Sequence, residues 1–243
     1  MKKALLTIAV VIAGLSVQAQ NIRVGLSGGV NSTWLMNKNV FDANDGLDIA
    51  ASFGGRFGIE SIYSFNDKIG VSLGLNFISM NSQKYSGDNT GIDGDLTTKL
   101  KYFDVPLLFR LTSGSGTYFE IGPQFGFLGS AKEDYESTDG NIKYDDLNVK
   151  SGFESTNIAL VFGFGVDIDV TENIFITTGL RLGYGFTDVT KEYDNGLELA
   201  ISNPSATTDF AHYDDSNKFN YEKTSRVFGG LNLGVSYKFG GTK

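Results

Sequence analysis

The chain contains no cysteine, a single histidine and three prolines in 243 residues. Without cysteine there is neither a disulfide framework nor a thiolate metal site, so an exported form must draw its stability from another source. So few prolines leave long backbone ladders free of missing donors. Lysine and arginine number 20 against 28 aspartates and glutamates. That balance argues against nucleic acid as a partner, because neutralising phosphates needs basic residues in excess on one face. After residue 20 no apolar run approaches the roughly 20 residues that a membrane-spanning helix needs. If this chain lives in a membrane, it must cross as strands that satisfy their hydrogen bonds by closing on themselves.

The first residues read differently. Lys2 and Lys3 precede an apolar run over residues 4–17, and Val17, Gln18 and Ala19 form a small-residue cleavage site. This is the pattern of a secretory signal peptide over residues 1–19, with a β-barrel domain expected over residues 20–243. No cysteine follows the cleavage site, so the acylated lipoprotein route is closed.

What the rest of the chain has in abundance is period-2 alternation. A transmembrane strand presents roughly 9 to 11 residues, apolar toward lipid and polar or small toward the lumen. Eight segments do so. Val24, Leu26 and Val30 oppose Arg23, Ser27 and Asn31; Phe53, Phe57, Ile59 and Tyr63, in a segment starting at Ile49, oppose Arg56, Gly58 and Glu60. Val71, Leu73, Leu75 and Phe77 oppose Ser72, Gly74 and Asn76. Phe103, Val105, Leu107 and Phe109 oppose Asp104, Pro106, Leu108 and Arg110, where the proline suggests a local bulge. Phe119, Ile121 and Phe125 oppose Glu120, Gly122 and Gln124; Leu160, Phe162 and Phe164 oppose Ala159, Gly163 and Asp167. Ile176, Leu180 and Leu182 oppose Thr177, Arg181 and Gly183, and Leu231, Leu233 and Val235 oppose Arg226, Phe228, Asn232 and Gly234.

Alternation alone would also suit a soluble sandwich or barrel. The connections discriminate. Residues 66–68, 113–116 and 171–173 are tight turns, whereas 36–48, 81–98, 132–154 and 190–222 are long, polar and rich in glycine and aspartate. This short-long rhythm is the plan of an all-β transmembrane antiparallel up-and-down barrel of about eight strands, with short periplasmic turns and long extracellular loops in the cell outer membrane. Its partners are outer-membrane lipid and lipopolysaccharide, and a monomer is expected.

Eight strands enclose a lumen just wide enough for side chains. The inward positions include Arg23, Arg56, Arg110, Arg181 and Arg226 together with Glu60, Asp104, Glu120 and Asp167. Unpaired, such charges would be very costly, so a mutually paired network filling the lumen is expected. The same residues could instead line a narrow channel for ions or small solutes, in which case neutralising Arg56 or Arg181 would change selectivity. Near the C-terminus, Asn232, Gly234, Tyr237 and Phe239 are similar to the assembly signal read by the outer-membrane barrel assembly machinery, although residues 240–243 follow.

The run over residues 100–110, containing Tyr102, Asp104, Val105, Pro106, Leu107 and Leu108, resembles the Tyr-Leu-Glu-Ile-Pro-Leu-Leu signature of the small barrels called porin-family or PorT-like proteins. Tyr118 to Pro123 and Val161 to Val166 are similar to further strands of that family. The resemblance covers essentially all of residues 20–243. It implies an eight-stranded outer-membrane barrel and assigns no activity.

No enzyme, cofactor or metal is expected. His212 lies near Asp209, Asp214, Asp215 and Ser216, a grouping that a long polar loop produces without catalytic geometry, and an active His212→Ala variant would remove the surface-enzyme reading. Asp42, Asn44, Gly46 and Asp48 alternate like a calcium loop, but the glycine is out of place and no glutamate stands at the twelfth position. Glu133, Asp134, Glu136, Asp145 and Asp146 make the outer loops acidic and are candidates to share divalent cations with lipopolysaccharide. Trp34, Tyr85, Tyr135 and Tyr193 are expected in an interfacial girdle.

Overall fold

The structure, a computed structural model, describes residues 22–38, 47–87, 94–191 and 222–239. The signal-peptide segment, His212 with its neighbours, Asp42, Asn44, Gly46, Tyr193 and residues 240–243 lie outside the described residues.

Among the described residues ten strands form one antiparallel sheet: β1 (Ile22–Met36), β2 (Leu47–Ala50), β3 (Phe53–Ser64), β4 (Ile69–Gly87), β5 (Gly94–Thr112), β6 (Thr117–Ser137), β7 (Lys143–Asn148), β8 (Thr156–Asp169), β9 (Ile174–Gly185) and β10 (Ser225–Phe239). Eight of them close a ring in the order β1-β3-β4-β5-β6-β8-β9-β10, and β10 returns to β1. At the seam Ile22 stands opposite Phe239 and Met36 opposite Ser225, so no ring edge is left open. The outward faces are apolar: Leu73, Phe109, Phe164, Leu182 and Leu233 are all exposed, as a lipid-facing wall requires.

Local chemistry makes the tight turns. Asn66 Oδ1 accepts from the backbone N–H groups of Lys68 and Ile69, both at 2.9 Å, closing β3 onto β4. Thr171 Oγ1 does the same for Asn173 and Ile174 between β8 and β9. Between β5 and β6 the turn needs Gly116, whose φ of +81° is left-handed and whose missing side chain leaves room for the Asp167 carbonyl.

Four features differ from the sequence expectations. The second segment is broken at residues 51–52: β2 pairs with the far end of β4, and β3 alone enters the ring. Residues 81–87, 94–98 and 132–137 are not loops, because β4, β5 and β6 run on to 19, 19 and 21 residues. Past the membrane these strands, flanked by β2 and β7, form an outer sheet. The polarity of the alternation reverses there: Tyr85, Leu96 and Leu100 point inward while Lys84, Lys99 and Lys101 point outward.

Pro106 sits in unbroken register opposite Gln124, and the bulges fall elsewhere, at Phe57/Gly58, between Asn76 and Ser79, at Lys101/Tyr102 and between Glu133 and Tyr135. Gly74 makes this possible, since a Cβ there would lie 2.7 Å from Pro106 Cγ. Finally, Tyr85 is fully buried and donates to the Leu35 carbonyl at 3.0 Å, so it belongs to the core and not to the girdle. Tyr135 packs partly against the same core, and Trp34 is half-buried on the outer side of β1. Outward aromatics elsewhere make two bands: Tyr63 with Phe65 and Tyr237 with Phe239, each pair 5.1 Å apart near the periplasmic turns, and a row of Phe77, Phe103 and Phe127 on the opposite side of the membrane.

Candidate functional site in the barrel lumen

Small residues floor the lumen wherever a large side chain crosses it. A Cβ on Gly163 would lie 2.7 Å from Glu120 Oε1, and one on Gly126 would lie 2.7 Å from Asp104 Oδ1. The charged groups occupy that space. Arg23 Nη2 donates to Asp167 Oδ2 at 2.6 Å, and the same carboxylate oxygen lies 2.8 Å from Arg110 Nη2. Arg110 Nη1 reaches Glu120 Oε2 at 3.4 Å, Arg181 Nε donates to Glu120 Oε1 at 2.6 Å, and Arg181 Nη2 donates to Glu60 Oε1. The result is one chain of alternating charge from Arg23 through Asp167, Arg110, Glu120 and Arg181 to Glu60. Hydroxyl groups complete its ends: Ser72 donates to Glu60 at 2.7 Å and Thr177 to Asp167 at 2.8 Å.

The remaining sequence-predicted groups make their hydrogen bonds outside that chain. Arg226 Nη2 meets Asp104 Oδ1 at 3.3 Å, and its guanidinium lies 4.2 Å from the Tyr102 ring centroid and 5.0 Å from that of Phe228. Its Nε and Nη1 have no protein acceptor, so the two aromatic faces supply part of the stabilisation that hydrogen bonds do not. Arg56 Nη2 donates to Asn232 Oδ1 at 2.8 Å, which ties an inward arginine to a residue of the C-terminal assembly pattern. Of that pattern Asn232 is buried, while Tyr237 and Phe239 face outward as the edge-on pair above.

Sequence reasoning missed the apolar half of the lumen. Leu108, Ala159, Val161 and Phe228 form one buried cluster. Toward the extracellular side Leu35, Tyr85, Leu96, Leu100, Tyr102, Leu128, Ala131, Phe153 and Val189 form a second. Only the position of Leu108 and Phe228 on otherwise polar faces signals it in the sequence.

Asp134, Asp146 and Glu136 of the outer sheet are partnered by lysines. Lys99 pairs with Asp134 and with Asp146, the latter at 3.3 Å, Lys132 meets Asp146 at 3.2 Å, and Lys143 meets Glu136 at 2.8 Å. Glu133 is buried and accepts from Thr98. Among the described residues no group of His, Cys, Asp and Glu could hold a metal ion. The Lys132 hydrogen bond, with Lys99 behind it, holds the Asp146 carboxyl below its usual value. A depressed carboxyl contributes stability that is present above its unfolded pKa and is lost as pH falls through the folded one. The β6–β7 hairpin should therefore lose amide protection below about pH 4. Hydrogen exchange, corrected for intrinsic rates, would read this; an Asp146→Asn variant should lose less protection than wild type over the same range, and identical profiles for the two would refute the coupling.

The chain is similar to Neisserial surface protein A, 15% identical with TM-score 0.41, covering 90% of this chain and 97% of that one. It is similar to the attachment invasion locus protein Ail of Yersinia pestis, 14% identical with TM-score 0.39, covering 90% and 99%. It is also similar to OprG of Pseudomonas aeruginosa, 14% identical with TM-score 0.41, covering 92% and 98%. No curated protein matches the chain. The family model described as outer membrane protein beta-barrel domain matches residues 18–191. The chain belongs to the outer membrane beta-barrel family, and its place is the outer membrane.

Proposed function

We propose that this protein acts as a structural or surface-interaction barrel, with a lumen that works as a plug and not as a solute path. One observation carries the reading: the interior is filled at successive levels, by the ion-pair chain from Arg23 to Glu60 and then by the two apolar clusters. An aqueous path would have to pass Leu96, Leu100 and Tyr85, all buried, whose apolar surface gives a moving ion little in place of its water. What the barrel offers its surroundings is then its outer sheet, built on β4, β5 and β6.

Planar-bilayer recording of the refolded mature protein tests this. A barrel shown closed by heat-modifiability should give no discrete conductance steps. Discrete steps would overturn the plug and favour the channel, with altered selectivity on neutralising Arg56 or Arg181 as its signature. The surface role predicts that shortening the outer loops removes binding to any partner while the barrel still closes.

A further inference from the structure

On the outer surface of β4, β5 and β6 the chemistry changes abruptly from one rung of the sheet to the next. Phe77, Phe103 and Phe127 lie side by side, with ring centroids 6.1 and 6.3 Å apart, as the top rung of the lipid-facing wall. From Leu111 to Phe103 every second residue of β5 is apolar and faces outward, a length that matches the hydrocarbon core. The next outward residue is Lys101, which stands opposite Met80 on β4 and Ser130 on β6. Lys150 reaches the same rung, its Nζ donating to the Gly129 carbonyl at 2.9 Å. One rung higher, Lys99 and Lys132 are directly opposite each other.

Two like charges facing across strands repel, and here Asp134 and Asp146 resolve the conflict from above. Among the described residues those two carboxylates pair with Lys99 and Lys132 alone. Lys101 is exposed and in no ion pair among the described residues, and Lys150 binds a neutral carbonyl. Positive charge is thus left over on the membrane side of this face, in a chain whose formal net charge is −8. The carboxylates stand on the side away from the bilayer.

We propose that this face holds a phosphate-bearing lipid of net negative charge in the outer leaflet: the headgroup phosphate binds at Lys101 and Lys150, and the acyl chains lie along Phe77, Phe103 and Phe127. Charge complementarity selects the headgroup, and continuity with the apolar wall selects a lipid over a soluble anion. The inference rests on outer-membrane residence and is independent of whether the lumen conducts.

Native mass spectrometry of the refolded barrel, released from micelles doped with phosphatidylglycerol or phosphatidylcholine, tests it. Wild type should retain phosphatidylglycerol over phosphatidylcholine, and the Lys101→Gln/Lys150→Gln variant should lose most of that preference, at least several-fold. Lys68→Gln, at a periplasmic turn, should behave as wild type. Equal retention of the two lipids by wild type, or an undiminished preference in the double variant, would overturn the proposal. A heat-modifiability gel on each sample establishes that every barrel compared is closed, which separates loss of the site from loss of the fold.

Discussion

Replacing Arg181 with methionine should lower the stability of the barrel by about 3–5 kcal/mol, the typical cost of removing one partner from a buried ion pair. The side chain is buried and holds two carboxylates from opposite walls, Glu120 on β6 and Glu60 on β3. Without it Glu60 keeps Ser72, and Glu120 keeps only the longer 3.4 Å contact to Arg110. Two charges would then sit in a lumen with too little compensation, and the next link, between Arg110 and Asp167, would carry more of the field. Urea unfolding of the protein in lipid vesicles reads the loss as a lower midpoint. The double variant Arg181→Met, Glu60→Gln removes one charge of each sign, leaves Glu120 to Arg110, and should recover a large part of the stability, because the expense of breaking the network lies in what it leaves behind. A methionine variant within about 1 kcal/mol of wild type would mean that the pairs behave like solvent-exposed ones, and the plug would lose its main support.

The membrane wall was legible because lipid imposes a single rule on every strand. Phe119, Ile121 and Phe125 against Glu120 and Gln124 cannot be read in another register without sending glutamate into hydrocarbon, so the face of each residue followed from parity. The tight turns were equally visible, since Asn66, Gly116 and Thr171 each do a job that few other residues can. What the alternation did not reveal begins where lipid ends. Residues 81–87 carry Asn81 and Gln83 on the inner face and Lys84 on the outer, so both faces read as polar and the segment looks like a loop. Its extended form comes from partners far along the chain, Leu96, Leu100 and Ala131, which give Tyr85 a core to enter. Pairing of Arg23 with Asp167 across 144 residues is likewise a property of closure; parity places both side chains inward without saying which meets which. The split between β2 and β3 and the tolerance of Pro106 also depend on neighbours, the far end of β4 and the bare backbone of Gly74.

A second large effect is expected where the lumen turns apolar. Phe228 on β10 stands directly opposite Gly183 on β9, and its ring lies over the glycine: a Cβ at residue 183 would sit 2.1 Å from Phe228 Cζ. The ring packs with Leu108, Ala159 and Val161 and offers its face to Arg226. Phe228→Ala should cost about 3–5 kcal/mol, because the closed wall cannot collapse into the space left behind. Gly183→Val should cost about 1–3 kcal/mol by forcing the ring off its seat. If the two positions are complementary parts of one packing unit, the double variant must be less damaging than the sum of the singles, with the valine filling part of the cavity. A coupling of about 0.5–3 kcal/mol in the midpoints of urea unfolding is the expected signature. Strict additivity would show that the ring and the glycine tolerate change independently, and the glycine would then owe its place at residue 183 to something other than the aromatic opposite it.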